Sequence, residues 1–121
     1  MKKILVISLL LLASSQAVSA APTAEQYSSR VRAEKLLKAE IAGDGSKMTS
    51  EQAQQFSNQI IESLKTINAN QIKKGMTCAE IKEYVDATLG KKLEGMGTDG
   101  VMFQVGKYIE ADCAIQKAWA A

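Results

Sequence analysis

The sequence predicts an all-α fold, a small bundle of about four helices in which one disulfide joins the C-terminal helical hairpin. Three threonines are followed three residues later by glutamine or glutamate, which is the capping-box pattern of helix N-termini. These pairs are Thr23 with Gln26, Thr49 with Gln52, and Thr77 with Glu80. Apolar residues also recur at spacings of three and four in the later segments, as on one face of an α-helix. The single proline, Pro22, precedes the first segment, so no proline interrupts a predicted helix.

The first 20 residues have the pattern of a secretory signal peptide. A basic start at Lys2 and Lys3 is followed by an apolar run and then by small residues before a cleavage point near Ala20. The apolar run is about ten residues long, whereas a membrane-spanning helix needs about 20. We therefore expect export to the periplasm or the medium, without membrane insertion after cleavage. Residues 21 to 121 are expected to form a single helical domain.

The charge of the predicted mature chain is balanced. Two of the 15 lysines and arginines, Lys2 and Lys3, lie in the leader, so the 13 that remain equal the 13 aspartates and glutamates. A neutral chain without a basic run gives no support to nucleic acid or anionic lipid as a partner. We expect other proteins as partners, with a homodimer as one arrangement.

The four predicted helices cover about residues 23 to 41, 49 to 70, 77 to 94 and 100 to 119. The first has a poor apolar face, because Arg30, Glu34 and Lys38 share the side of its apolar residues. We expect it to pack loosely as a partly exposed helix, or else to be an arm that becomes ordered on a partner. Glycine-containing turns are expected at residues 43 to 46 and 95 to 100.

The second segment is the clearest predicted core helix. Its apolar residues form a narrow stripe at helical spacing: Ala53, Phe56, Ile60, Leu64 and Ile67. The last two predicted helices each contain one cysteine. Cys78 enters the first turn of the third segment, whose apolar stripe comprises Ile81, Val85, Leu89 and Leu93. The stripe of the fourth segment comprises Met102, Val105, Ile109 and Cys113, extended by Val101, Tyr108, Ile115 and Trp119.

The two cysteines are expected to form a disulfide, because the predicted compartment is oxidising. If the last turn centres near Gly97, Cys78 lies 19 residues before that point and Cys113 lies 16 after it, so the two become level in an antiparallel hairpin. A bridge across this interval contributes about 3 to 4 kcal/mol in the chain-entropy model. A free Cys78 acting as a nucleophile at a helix N-terminus is the less favoured alternative.

No pattern of residues indicates catalysis or a cofactor. The chain has no histidine, which removes the commonest general base and the commonest transition-metal ligand. Glu80 and Glu83 lie on one helical face, but Glu80 is already accounted for as a cap partner. The turns at residues 44 to 46 and 98 to 100 lack the alternating acidic ligands of calcium loops. We therefore expect a non-enzymatic protein with no cofactor and no metal.

Two residues of the last helix depart from their surroundings. Helical projection places Asp112 within the apolar arc, and the favoured interpretation is an exposed edge of an arc broader than the buried stripe. If Asp112 is buried instead, its protonation would change the packing of this helix, which makes it a candidate pH-sensitive residue. Phe103 projects to the opposite, polar side and is a candidate contact residue.

The segment Met76-Thr77-Cys78-Ala79-Glu80, followed by Ile81, resembles the periplasmic acid-stress chaperones of the HdeA and HdeB type. That family has a similar helix start and a second cysteine on a later helix that is bonded to the first. Cys78 and Cys113 would take these two positions. The chain departs from the family in the closer spacing of its cysteines and in having no lysine-rich tail. The resemblance implies a dimer at neutral pH that opens in acid, exposes apolar surface and holds unfolding client proteins.

The expected function is therefore that of an exported protein-binding domain, such as an acid-stress or envelope-stress chaperone. A periplasmic inhibitor or immunity protein that blocks one secreted enzyme would have the same composition. A structural subunit of an envelope assembly is a third alternative, in which the first helix contacts the other subunits.

Overall fold

The computed structural model describes residues 21–43, 48–92 and 99–120. These residues form four α-helices, and the described parts of the chain contain no strand. The helices are α1 (Ala24–Gly43), α2 (Ser50–Lys73), α3 (Cys78–Lys92) and α4 (Asp99–Ala120). The predicted all-α class is thus confirmed. The predicted leader and most of the two predicted loops, at residues 44 to 46 and 95 to 98, lie outside the described residues.

Three of the helices begin at the predicted capping boxes. Thr49 Oγ1 accepts a hydrogen bond from the Gln52 amide at 3.1 Å, and Gln52 Oε1 accepts one from the Thr49 amide at 2.9 Å. The same reciprocal pair joins Thr23 to Gln26 and Thr77 to Glu80. Each of these helices begins one residue after its threonine, because the cap satisfies amides that have no partner in the first turn.

A tight turn at residues 74 to 77 separates α2 from α3. The amides of Lys74 and Met76 both donate to the carbonyl of Gln71, which closes the C-terminus of α2. Gly75 has a φ of 87°, in the left-handed region that favours glycine. Helix α2 therefore extends to Lys73, three residues beyond its predicted end, since the signal that terminates it is Gly75. Likewise α1 continues through Gly43, where a turn was predicted.

Helix α4 is the centre of the bundle, because each of the other three helices packs against it. Helices α1 and α4 share the most extensive interface, whereas α2 and α3 contact each other only slightly. The disulfide between Cys78 and Cys113 joins α3 to α4, with 5.9 Å between the two Cα atoms. Gly90, near the other end of α3, lies beside Met102 near the start of α4, so the two helices run antiparallel as predicted.

The expectation of a loosely packed first helix is wrong. Ala33, Leu37 and Ile41 recur every four residues along α1 and are all buried. Arg30 lies one turn before them, so the buried side of this helix contains a charge as well as apolar groups. Helix α1 can pack on α4 because α4 carries a partner for the Arg30 charge. The sequence pattern of α1 alone does not reveal that partner.

The prediction for α2 is correct in type but wrong in rotation. Ala53 and Leu64 are buried as expected, while Phe56, Ile60 and Ile67 are half-buried and pack against the edge of the core. The buried side is completed by Ser57, Ile61 and Asn68. Helix α2 is therefore turned so that part of its apolar stripe faces away from α4. Among the described helices, none is long and apolar enough to cross a bilayer.

Candidate functional site: a buried charge network

Asp112 lies at the centre of the buried side of α4 and has 0% of its surface exposed. The favoured sequence interpretation, an exposed edge, is therefore wrong. Three helices cover α4, so its buried arc is much broader than the stripe of a helix with one neighbour. Tyr108 and Ile109, which precede Asp112 by about one turn, are fully buried as well.

Three hydrogen-bond donors surround the Asp112 carboxylate. Arg30 of α1 donates from Nη1 to Oδ1 at 2.7 Å. Asn68 of α2 donates from Nδ2 to Oδ2 at 2.9 Å, and Gln116 of α4 donates from Nε2 to the same oxygen at 2.7 Å. A buried carboxylate is tolerated when it is both paired with a cation and hydrogen-bonded, and both conditions hold here. The network joins α1, α2 and α4 through one charge.

Arg30 reaches this site from the edge of the bundle. Its side chain is 28% exposed, and the guanidinium carbon lies 5.9 Å from the centre of the Tyr27 ring, within cation–π distance. The ion pair thus has one fully buried member and one member in contact with water. In pairs of this kind the desolvation cost falls mainly on the carboxylate, whose charge depends on the arginine remaining in place.

The amides of the network also bind the backbone of neighbouring helices. Asn68 Nδ2 lies 3.3 Å from the carbonyl oxygen of Ile109, and Gln116 Nε2 donates to the carbonyl of Lys65 at 3.1 Å. The Oδ1 atom of Asn68 is buried and has no hydrogen-bond partner among the described residues. Asn68 is therefore oriented by what it donates, and its orientation depends on Asp112 being an acceptor.

Tyr108 adds a second titratable group to the network. Its hydroxyl is buried without a hydrogen-bond partner in the described part of the chain. Burial raises the pKa of Tyr108 well above its usual value, the nearby Asp112 charge raises it further, and Arg30 opposes them. The phenol therefore stays neutral when Asp112 is ionised.

The hydrogen bonds of Asp112 couple its charge state to the positions of its three donors. Both carboxylate oxygens of Asp112 accept hydrogen bonds, so an added proton would have to displace Arg30 or one of the two amides. Protonation would also leave Arg30 without its counter-charge. Within residues 21–43, 48–92 and 99–120, no group of acidic side chains or cysteines is arranged to hold a metal ion.

The disulfide adjoins this network, since Cys113 directly follows Asp112. Cys113 is fully buried and Cys78 is half-buried. Both cysteines are in the bridge, so the alternative of a free Cys78 nucleophile is not what the structure contains. A disulfide of this kind indicates an oxidising environment of the sort that exported proteins meet.

Phe103, the second residue singled out from the sequence, is 62% exposed. Lys107 lies above its ring, with 5.4 Å between Nζ and the ring centre. Phe103 borders two open clefts, one of about 650 Å³ between α1 and α4 and one of about 440 Å³ between α3 and α4. It lies apart from the Asp112 network, so the structure does not bring the two candidate residues into one site.

A third surface was not predicted from the sequence. An open groove of about 830 Å³ runs between α2 and α3, with Phe56, Ile60, Ile67 and Leu89 among its lining residues. Three of these belong to the α2 stripe that was predicted to be core. The sequence also missed Arg30, although it lies on the apolar side of α1 just as Asp112 lies on the apolar side of α4. That coincidence of opposite charges was the available signal.

The fold and the site together define a small disulfide-linked helical domain whose core contains an ion pair. Comparison of the chain with protein families, with curated proteins and with solved structures finds no match. The resemblance of residues 76 to 113 to the acid-stress chaperones thus stays a prediction.

Proposed function

We propose that this chain is an exported, non-enzymatic protein-binding domain that acts as an acid-responsive chaperone in the periplasm. The observation that carries this proposal is the buried Asp112 carboxylate, which links three helices through Arg30, Asn68 and Gln116. One protonation event at this residue alters the contacts of every helix that it joins.

Acid acts on the rest of the chain in the same direction. Near pH 2, aspartates and glutamates with ordinary pKa values of about 4 are protonated, while lysines and arginines keep their charge. The predicted mature chain would change from a balanced charge to about 13 positive charges without compensation. Repulsion among these charges favours separation of the helices, and the apolar side of α4 becomes available to other proteins.

The disulfide limits how far this opening proceeds. Cys78 and Cys113 keep α3 and α4 joined, so these two helices cannot separate at that end when the other contacts weaken. The bridge also reduces the entropy of the opened chain, which favours refolding when the pH returns to neutral. A chaperone that has to open and close repeatedly benefits from both effects.

A pH titration of the purified mature protein from 7 to 2 tests the proposal. The measurements are apolar-dye binding, oligomer size, and aggregation of citrate synthase and lactate dehydrogenase on return from acid. We expect reversible opening and protection of both clients. Asp112→Asn should already bind dye at neutral pH, whereas the matched control Asp86→Asn, at an exposed position of α3, should behave as the wild type does.

Two results would contradict the acid-responsive chaperone. One is a domain that remains compact to pH 2, and the other is a domain that opens but protects neither client. Equal behaviour of Asp112→Asn and Asp86→Asn would show that the buried network is not the responsive element.

A second candidate function is that of an inhibitor or immunity protein for one secreted enzyme. The exposed Phe103 between two clefts favours it, since aromatic anchors beside pockets dominate the energetics of specific interfaces. Phe103→Ala should then abolish capture of a single partner at neutral pH, while Tyr84→Ala, at another exposed aromatic residue, should not. Protection of several unrelated clients without such a partner would exclude this alternative.

A further inference from the structure

Helix α1 is attached to the bundle differently from the other two helices that cover α4. Helix α3 is bonded to α4 through Cys78 and Cys113, and α2 is tied to α3 by the tight turn at residues 74 to 77. Helix α1 has no cross-link to the others and contacts α4 through side chains. Its N-terminus is capped by Thr23 and Gln26 within its own first turn, so this cap does not depend on α4.

The attachment of α1 depends on one ion pair and a short apolar row. Of the ion pairs among the described residues, Arg30 with Asp112 is the one that joins two helices, while the other two lie within α1 and within α2. The apolar row consists of Ala33, Leu37 and Ile41, which are buried along one side of α1. Removal of the ion pair therefore takes away the one charged contact that joins α1 to another helix among the described residues.

We propose that α1 is a removable cover, and that the strip of α4 beneath it binds apolar, amphipathic segments of unfolding client proteins. This inference rests on the proposed chaperone function and assigns its binding surface. The strip lies on α4 between Asp112 and the cleft-lining residues Gln104 and Ala111. It consists of three buried residues at intervals of seven: Val101, Tyr108 and Ile115.

The charge of Asp112 determines which helix the strip prefers. While ionised, it requires a helix that presents an arginine to it, and Arg30 of α1 meets that requirement. Once protonated, it leaves a strip without charge, and any amphipathic apolar segment can compete with α1 there. Helix α1 also carries two arginines and two lysines against three glutamates, so it becomes strongly cationic in acid and is repelled by the rest of the chain.

The groups around Asp112 on each neighbouring helix act together with it. Helix α1 contributes Arg30 and Glu34, and α2 contributes Glu62, whose charge reaches the Tyr108 hydroxyl beside Asp112. Lys65 of α2 lies close to the network through its carbonyl and pairs with Glu62 at 3.5 Å. Helix α3 contributes Cys78, which does not titrate while bonded. Acid neutralises the carboxylates of this set and leaves its cations unopposed.

Segment-resolved hydrogen exchange on the full mature protein tests the cover. At pH 3, amides of residues 24 to 43 should lose protection first, while those of α3 and α4 stay protected. Arg30→Gln should raise the exchange rates of α1 by about tenfold or more at pH 7, because the buried carboxylate loses its partner. Arg32→Gln, at an exposed position of the same helix, should change them by less than about twofold.

Repeating the experiment at pH 3 with unfolded citrate synthase locates the binding surface. Added client should increase the protection of α4 and leave α1 exchanging freely. Loss of protection in all four helices together, or protection of α1 while client is bound, would overturn the proposal that α1 is a removable cover. Client protection in the aggregation assay under either result would leave the chaperone function standing, so the two proposals fail separately.

Discussion

Helices α1 and α2 both pack on α4, but they contradict their sequences in opposite ways. The first has charges on its apolar side and nevertheless buries Ala33, Leu37 and Ile41. The second has the most regular apolar stripe in the chain and leaves Phe56 and Ile67 half-buried along a groove. The apolar pattern of a helix thus indicates which residues are able to be buried. It does not indicate which neighbour will cover them.

Polar groups account for both departures. Arg30 turns α1 so that its guanidinium meets Asp112, and the apolar residues one, two and three turns later come to lie on the same side. Asn68 of α2 donates to the same carboxylate, and with α2 in this orientation Phe56 is half-buried and lines the groove between α2 and α3. A buried charge that is not satisfied costs more than an apolar side chain left half-exposed, so the network determines the rotation of both helices.

The largest expected effect is that of removing the disulfide, which joins α3 to α4 and involves neither α1 nor α2. The double variant Cys78→Ser with Cys113→Ser should lose about 3 to 4 kcal/mol of unfolding free energy, because its unfolded chain is no longer restrained. Urea denaturation at pH 7 measures this loss, with reduced wild-type protein as the control. A loss below about 1 kcal/mol would show that α1 and α2 hold the bundle together without the bridge.

The next effect tests the comparison of the two helices directly. Leu37→Ala in α1 should cost about 2 to 5 kcal/mol, because Leu37 is fully buried and its removal leaves a cavity. Ile67→Ala in α2 should cost less, about 1 to 2 kcal/mol, since Ile67 borders an open groove. If Ile67→Ala lost more unfolding free energy than Leu37→Ala in urea denaturation, the prediction from sequence that α2 is the principal core helix would be supported instead.

Much of the fold was predictable from local signals. The capping threonine Thr49 interacts with a residue only three positions away. That Cys78 and Cys113 lie opposite each other in the helical hairpin follows from counting residues on either side of the turn. The burial of Asp112 was not predictable in this way, because it depends on how many helices cover α4. Its pairing with Arg30 spans 82 positions, so no local pattern contains it. The sequence therefore identified Asp112 as a candidate residue but not its partners Arg30, Asn68 and Gln116.

A smaller effect is expected at the α2 side of the network. Asn68→Ala should cost about 1 to 3 kcal/mol, because Asp112 loses a donor that is buried with it. Asn70→Ala, at an exposed position two residues later, should change stability by less than about 0.5 kcal/mol. Thermal unfolding of both variants at pH 7 provides the comparison. Equal stability of the two would mean that the rotation of α2 does not depend on this amide.

The smallest effect at neutral pH is expected for Tyr108→Phe, because the hydroxyl that it removes has no partner among the described residues. The variant should differ above pH 10. Burial raises the pKa of Tyr108 in the folded state, so the unfolded chain releases its proton first and wild-type stability falls as pH rises above the unfolded value of about 10.

This alkaline loss amounts to at most about 1.4 kcal/mol per pH unit from one group, and Tyr108→Phe should remove it. Urea denaturation at pH 8, 10 and 11 measures it, with Tyr84→Phe, at an exposed tyrosine, as the matched control. A variant that declines as steeply as the wild type would mean that the phenol gains solvent or a partner in the folded protein.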